Sequence, residues 1–439
     1  MDMGPRGGDG ADAVAGDLSM AWSEAELRQR RAELDDALAN ASYPEGQFSG
    51  RGIVICGGGD VFFPCTWVCC SMLRAVGCAL PVELWYRGPR EMTGETIALM
   101  AELGVTCVDA FAVAQKHPVR RLDGWELKAY AIAYSGFAEV LYLDADNMAL
   151  HDPEILFASE MYCRHGAMFW PDRYSGPGTG QEWLKRETWE LCGVPYRLEP
   201  EFESGQMLVD KRRCWRALAL ALHLNSHSDF YYAFFYGDKD TFHLAWRRAG
   251  LEFGQVERKP MTLGASQAIV QFGPEGQPFF QHRNGSKWKL HATNPAVRGF
   301  ALERECLRML AILRERWQGP MRRFPDELNS PERGWYEVLC AQRWFVYTLG
   351  GRGSRLLELR EDFRIGHGAA EMELGWMVEA DHLGNALLSL RNANAPTCFL
   401  RQERDAAWHG RWLVYDRDEV RLAAGPRQPG SERKGHCWL

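Results

Sequence analysis

The 439-residue sequence predicts an α/β fold, a sheet with helices on both faces, followed by a small all-β module. Three observations predict it. Between residues 52 and 250, short apolar runs of the buried-strand type alternate with stretches of helical periodicity. Gly residues stop several of the helical stretches, and Ser, Asp or Pro open others. After residue 336 the helical periodicity gives way to short alternating runs separated by turn residues.

Taken in order, residues 1–20 are rich in Gly, Asp and Ala and are expected to be disordered. Ser23 and Glu26 form an S-x-x-E capping box, and Leu27, Leu34 and Leu38 recur at helical spacing, which gives a helical arm within 21–50. A strand is expected at 52–56 and a helix at 65–76, ending at Gly77. A second strand at 81–86 precedes a helix at 91–103, which stops at Gly104. Strands follow at 105–108 and 139–143, with a helix at 125–134 between them. Asp152-Pro153 reads as an N-cap with proline at the first helical position, and 166–170 as another strand. The theme continues with a strand at 204–209 and helices at 214–224 and 240–249, the last ending at Gly250. These segments form one α/β domain over 51–320, closed by a mixed-charge helix at 302–317. A linker at 320–331 leads to the all-β module over 335–425, expected to be of sandwich type, and a flexible tail at 426–439.

Composition excludes several classes. The net charge is −7 and the basic clusters are short, so no nucleic-acid partner is expected. The thirteen cysteines include no C-x-x-C pair, and Cys65, Cys69 and Cys70 share one helix, where core packing is the ordinary use. Reduced thiols are expected, without a disulfide framework or a zinc site. The first residues lack the apolar run of a signal peptide, and there is no uninterrupted apolar stretch of about 20 residues. No membrane span is expected, and the protein is read as cytoplasmic.

The sharpest chemical feature is Leu141-Tyr142-Leu143-Asp144-Ala145-Asp146-Asn147. An apolar strand ends in two carboxylates spaced by one small residue. On an extended chain both would point to the same side, where their repulsion is relieved by a divalent cation. Mg²⁺ and Mn²⁺ favour such oxygen ligands, completed by substrate phosphates. The plainer alternative is that Asp-Ala-Asp caps the next turn. Downstream, Phe280-Gln281-His282-Arg283-Asn284-Gly285-Ser286-Lys287-Trp288 offers His282 as a third metal ligand, favouring Mn²⁺. There Lys287 would neutralise a leaving diphosphate, and Gly285 would let backbone approach phosphate closely. Gly57 and Gly58, after the first strand, would admit a nucleotide against bare backbone. Phe62 stands in place of the third glycine of G-x-G-x-x-G, which disfavours a dinucleotide enzyme. Tyr236-Gly237-Asp238-Lys239-Asp240 opens a helix with carboxylates, either for the helix dipole or to face a reacting sugar carbon. The aromatics Phe230, Tyr231, Tyr232, Phe234 and Phe235 nearby serve either as sugar platforms or as core.

These residues together resemble the α-mannosyltransferases of fungal Golgi type, glycosyltransferase family 71, over about residues 52–288. The likeness rests on 80–86, Lys128 in Leu-Lys-Ala-Tyr-Ala-Ile, 140–147, Asp152-Pro153-Glu154, Phe169-Trp170-Pro171-Asp172, Glu203-Ser204-Gly205-Gln206 and 237–242. It implies a GT-A fold, a nucleotide-sugar donor, Mn²⁺ (or Mg²⁺) and retention of anomeric configuration. GDP-mannose is the donor it implies first. More distant glycogenin-like transferases imply further roles. His282, Gly285 and Lys287 match their metal and diphosphate motif, Asp238 falls where they keep an acid near the transferred sugar, and Lys128 would sit near the donor. The expected site is thus Asp144, Asp146 and His282 for the metal. Gly57, Gly58, Lys128, Asp144, Gly285 and Lys287 are expected at the donor, and Asp238, Asp240 and Glu203 as catalytic carboxylates.

The expected activity is α-mannosyl transfer to a glycan or other hydroxyl acceptor. The same fold would also suit UDP-glucose or UDP-galactose. A reading of another class is a non-catalytic glycan-binding protein, with Trp376, Trp408 and Trp412 as sugar platforms in the C-terminal module.

Overall fold

The computed structural model describes residues 23–89, 91–122, 124–173, 184–290, 294–317, 328–350, 353–370, 373–380, 384–391, 396–412 and 419–426. The expected disorder of residues 1–20, most of the linker at 320–331 and the tail beyond 426 lie outside the described residues. The chain divides into two compact units, Met1–Gly58 with Phe62–Arg316, and Trp317–Leu439 with Gly59–Val61.

The first unit opens with α1 (Glu24–Ala39), where the Ser23–Glu26 capping box forms as read from the sequence. After β1 (Arg51–Cys56), α2 (Gly59–Ala75) begins earlier than expected, because Gly58 at φ 121° turns the chain directly into it. Then come β2 (Val82–Tyr86), α3 (Gly94–Glu102), β3 (Val105–Asp109), α4 (Ala110–Ala114) and α5 (Glu126–Tyr134). Strand β4 (Glu139–Asp144) leads through a tight turn to β5 (Asn147–Ala149). Asp152 and Pro153 start a 3₁₀ segment, Pro153–Ala158, as their pairing predicts. Next are α6 (Glu160–His165), β6 (Ala167–Pro171), α7 (Arg186–Leu191), β7 (Phe202–Asp210), α8 (Lys211–Ser226), α9 (Ser228–Tyr231) and α10 (Lys239–Ala249). The unit ends with β8 (Gly254–Gln255), β9 (Met261–Leu263), β10 (Ala268–Phe272), β11 (Pro278–His282) and α11 (Glu303–Arg316).

Seven strands make the main sheet in the order β3-β2-β1-β4-β7-β6-β8. Strands β1 to β4 pair in parallel, while β7 runs antiparallel to both β4 and β6. The reversal brings the start of β7 beside the end of β4, with Gln206 opposite Leu143. One face of the sheet, including Val54, Trp85, Tyr142, Phe169 and Val209, packs with Leu34 of α1 and with α5, α8 and α10. On the opposite face, Thr66 of α2 and Leu84 of β2 close on Gly57, where an added Cβ would lie 2.2 Å from Thr66 Oγ1. Burial on both faces explains why these strands read as continuous apolar runs. A second sheet, β5-β11-β10-β9, is antiparallel throughout. This is the mixed α/β architecture of GT-A type that the resemblance implies. Among the described residues no helix is long and apolar enough to cross a membrane, and no disulfide forms.

The second unit corrects the expectation of a sandwich. It opens with a helix, α12 (Ser330–Gln342), and continues as β12 (Trp344–Leu349), β13 (Gly353–Glu358), β14 (Gly375–Ala380), β15 (Ala386–Arg391), β16 (Pro396–Gln402), β17 (Trp408–Trp412) and β18 (Glu419–Ala424). These strands form one antiparallel sheet, β13-β12-β18-β17-β16-β15-β14. Bridges Leu359–Ile365 and Arg364–Gly375 link the end of β13 to the start of β14, so the sheet curls back on itself, and Tyr336 and Leu339 of α12 join its core. The helix was legible in Asn329-x-x-Glu332, a reciprocal cap with Pro331 in the first turn.

A buried lysine generates a stability prediction. Lys211 Nζ donates to Ser135 O (2.7 Å) and Ala133 O (3.2 Å) and lies 3.8 Å from the Phe48 ring centre, with no carboxylate in hydrogen-bond range among these contacts. Burial pushes its ammonium down to about 6 from an ordinary value of 10.5. The unfolded chain therefore binds more protons between those two values, and stability rises with pH across that window, by up to about 1.4 kcal/mol per pH unit. Lys211→Met is expected to flatten this part of a pH series of urea midpoints. An unchanged slope would mean that Lys211 is charged in the folded protein.

Candidate metal centre

Strand β4 is apolar and buried through Val140, Leu141, Tyr142 and Leu143 and ends at Asp144. An extended strand would set Asp144 and Asp146 on one side. The strand instead stops at Asp144, and a turn through Ala145 and Asp146 brings the second carboxylate round. Strand β5 then pairs with β11, setting His282 opposite Asn147, while Arg283 N–H donates to Asp146 O at 3.0 Å. As a result His282 Nε2 lies 3.0 Å from Asp146 Oδ1 and 3.9 Å from Asp144 Oδ2. Asp144, Asp146 and His282 each offer a ligand atom within 4.8 Å of the other two.

The loop carrying Lys287 is fixed by Arg283. Its buried guanidinium donates to Glu303 (2.7 Å) and to the Ser286 carbonyl (2.6 Å), and lies 3.8 Å from the Trp288 ring centre. Lys287 Nζ is thereby held against Asp146 Oδ2. Burial pushes the Asp146 carboxyl up, but Lys287 and His282 outweigh it and hold Asp146 well below the usual carboxylate range. The converse applies to His282, which burial lowers and Asp146 raises further. Its Nδ1 is buried without a hydrogen-bond partner and faces Glu203 Oε1 at 4.0 Å. Two carboxylates and one imidazole nitrogen, Nε2, make a donor set that fits a divalent cation of the Mn²⁺ type.

A second group adjoins the first. Lys128 of α5 is buried, and its Nζ lies 3.1 Å from Asp144 Oδ1 and 2.8 Å from Asp238 Oδ2. It also donates to Ser204 O (3.1 Å) and Ser204 Oγ (3.0 Å), while Ser204 Oγ donates to Asp238 at 3.2 Å. Burial lowers the Lys128 ammonium, but Asp144 and Asp238 outweigh it and hold it well above its ordinary value. Tyr142 Oη, two residues before Asp144 on the same strand face, donates to Asp144 Oδ1 at 2.8 Å. Asn147 Nδ2 pins the turn to Gly205 O (2.9 Å) and Gln206 Oε1 (2.7 Å). Ser204 and Tyr142 escaped the sequence reading as site residues. For Tyr142 the i−2 spacing was the available signal, and for Ser204 its place in the Glu203-Ser204-Gly205-Gln206 stretch.

Glu203 joins this centre through His282, and burial pushes its carboxyl up. Asp240 does not join it. Residues two apart on a helix point in different directions, and Asp240 Oδ2 instead accepts from Tyr236 N–H at 2.7 Å. It belongs to a neighbouring cluster in which Lys239 Nζ meets Asp172 Oδ2 (2.5 Å), Glu201 Oε2 (3.2 Å) and Asp240 Oδ1 (3.7 Å). Gly57 and Gly58 leave the sheet beside the acidic pair, because Cys56 is in register with Asp144. Gly285 has a packing reason of its own, since an added Cβ would lie 2.5 Å from Ser266 O. Phe230, Tyr231 and Phe235 are buried in the core and are not sugar platforms. Trp376, Trp408 and Trp412 are likewise core residues of the second unit.

Because a cation must displace the proton that Asp146 helps His282 to hold, Mn²⁺ affinity is expected to rise as the pH goes from mildly acid to mildly alkaline. His282→Ala is expected to weaken Mn²⁺ binding about tenfold or more and to reduce that dependence. Titration calorimetry with Mn²⁺ checks both, and unchanged affinity in the variant would remove His282 from the ligand set.

Known proteins resemble this chain over much of its first unit. A family model described as a mannosyltransferase matches residues 50–179 and 195–284, half of the chain. The α-1,2-mannosyltransferase MNN21 of Candida albicans is 29% identical over 274 residues, covering 50% of this chain and 41% of its own. The α-1,2-mannosyltransferase MNN2 of Saccharomyces cerevisiae is 26% identical over 283 residues, covering 55% of this chain and 47% of its own. This chain thus spans less than half the length of these relatives. Among solved structures, mouse xyloside xylosyltransferase 1 superposes with a TM-score of 0.32 at 15% identity, over 45% of this chain and 82% of that one. The acidic turn, His282 and most of the Lys128 network fall inside the two matched segments, and on that match the chain belongs to the mannosyltransferase family.

Proposed function

We propose that this protein is a retaining α-mannosyltransferase that uses GDP-mannose and a divalent metal to glycosylate a hydroxyl acceptor. The observation that carries the reading is the convergence of Asp144, Asp146 and His282, with Lys287 beside them, in a chain of this family. Asp144, Asp146 and His282 would hold the metal. When bound, the ion supplies Lewis-acid stabilisation of the charge that builds on the departing diphosphate.

The chain's own residues do the rest. Lys287 neutralises diphosphate charge from the Asp146 side. Gly57 and Gly58, which follow β1 next to Asp144, would lie beside the nucleotide. Lys128 fixes Asp144 and Asp238 relative to each other, so that Asp238 faces the transferred sugar and steadies the positive charge on its reacting carbon. In retention the bond from that carbon to the phosphate oxygen breaks, and the acceptor oxygen bonds to the same face. The acceptor proton passes to the leaving phosphate. Glu203, whose Oε1 lies 4.0 Å from His282 Nδ1, supports that ring electrostatically from the side away from the metal.

A panel of GDP-mannose, UDP-glucose and UDP-galactose, with and without Mn²⁺, tests the proposal by release of GDP or UDP. Metal-dependent turnover of GDP-mannose alone is the expected result. Turnover of only a UDP-sugar would move the protein to the glucosyl or galactosyl reading. The double variant Asp144→Asn with Asp146→Asn is expected to lose on the order of 10²-fold or more of the turnover. Full activity in that variant would remove the acidic pair from the mechanism.

A further inference from the structure

Trp125 and Tyr236 are the two most exposed large hydrophobic side chains among the described residues, each at 65%. Isolated exposure of this kind is common, but here both aromatics flank the turn that bears Asp238, Trp125 lying against Gly237 and Tyr236 preceding it. Both lie on the segments that carry the site. Trp125 precedes α5 by one residue, and its carbonyl accepts from Lys128 N–H at 3.1 Å. Tyr236 stands two residues before Asp238.

The two are held in place. Gly237 sits between Tyr236 and Asp238 at φ +66°, and an added Cβ there would lie 2.8 Å from Trp125 Cε3. Only glycine allows the indole to lie on the backbone that bears Asp238, and the ring stays largely in water. Tyr232 flanks it with ring centres 6.3 Å apart, and the Tyr236 N–H is tied to Asp240. Neighbours in the same aromatic run are consumed by the core: Phe230, Tyr231 and Phe235 are buried. The structure therefore sorts one aromatic stretch into packing residues and a fixed, solvent-facing rim.

We propose that Trp125 and Tyr236 form the acceptor platform, stacking on the apolar C–H face of a pyranose ring in the hydroxyl acceptor; this rests on the transferase reading above. Contacts within the site run from Lys287 through Asp146, His282, Asp144 and Lys128 to Asp238. Lys287 and the metal ligands, which suit a diphosphate, occupy one end, and the two aromatics adjoin the other. A sugar stacked there would bring its hydroxyl to the Asp238 side of the transferred sugar. Rigid aromatics offer such a face at low entropic cost.

Initial rates of the full chain with GDP-mannose and methyl α-D-mannopyranoside as the acceptor probe test this. In Trp125→Ala the KM for the acceptor is expected to rise about tenfold, while the KM for the donor moves by less than about twofold. Tyr236→Ala should shift the same parameter in the same direction, and Trp125→Phe should recover most of the loss. An unchanged acceptor KM overturns the proposal. So does an equal rise in donor KM, which would place the nucleobase on the indole. Saturation-transfer NMR of the same mannoside, without donor, separates this proposal from the transferase reading. If no nucleotide sugar is turned over but Trp125→Ala abolishes the saturation transfer, the transfer reading fails and the platform stands. Saturation transfer that survives the substitution overturns the platform.

Discussion

A buried ammonium group is the constraint on which the rest of the site depends. Lys128 Nζ has left water inside the first unit, and such a charge is tolerated only with close opposite charges and satisfied hydrogen bonds. Asp144, Asp238 and Ser204 meet that need, and each arrives on a different piece of chain: the end of β4, the turn before α10 and the start of β7. Removing one of them would leave the charge under-compensated. The lysine thus acts as a fixed spacer, setting the distance between Asp144 and Asp238.

This arrangement is possible because β7 is reversed in an otherwise mostly parallel stretch of sheet. A parallel β7 would present its carboxyl end, Val209 and Asp210, beside Asp144. Running antiparallel, it presents Glu203, Ser204 and Gly205 there instead. The second sheet makes the complementary contribution. Pairing of β5 with β11 brings His282 across 136 residues of sequence to Asp146. Arg283, locked to Glu303 and the Trp288 ring, holds the following loop so that Lys287 closes on the same carboxylate. Asp146, His282 and Lys287 are therefore positioned by strand register and a buried guanidinium, not by a flexible loop.

Charge is compensated locally in two adjoining groups. Around Asp146 and His282, cations and carboxylates alternate, and each holds its neighbour in the charged form. Around Lys239, three carboxylates share one ammonium, and burial raises Glu201 and Asp240. The second group supports the 236–238 turn from beneath, through the bond from Tyr236 N–H to Asp240, and so helps to aim Asp238. Among the described residues, the tryptophans of the second unit have no comparable exposure, and Trp376, Trp408 and Trp412 are spent on the core around α12 and its sheet. The two most exposed aromatics among the described residues, Trp125 and Tyr236, belong to the first unit.

The sequence by itself determined a good deal. Apolar runs, caps and glycine stops located most helices and strands of the first unit, because these signals are local. The acidic pair, His282 and Lys287 were legible from residue types and from the family likeness. Other features needed the tertiary structure. The reversal of β7 and the single sheet of the second unit depend on which strands pair, and alternation within a strand carries no such information. The turn that brings Asp146 round replaced the strand geometry expected of it. Asp238 and Asp240 looked equivalent in the sequence, yet helix direction sent one to Lys128 and the other beneath the turn. Ser204 lies in a stretch that carries the family likeness, but its place in the site became visible only because a buried ammonium needed its oxygens. Burial likewise sorted the aromatics between core and rim, since exposure belongs to a residue's surroundings and not to its type.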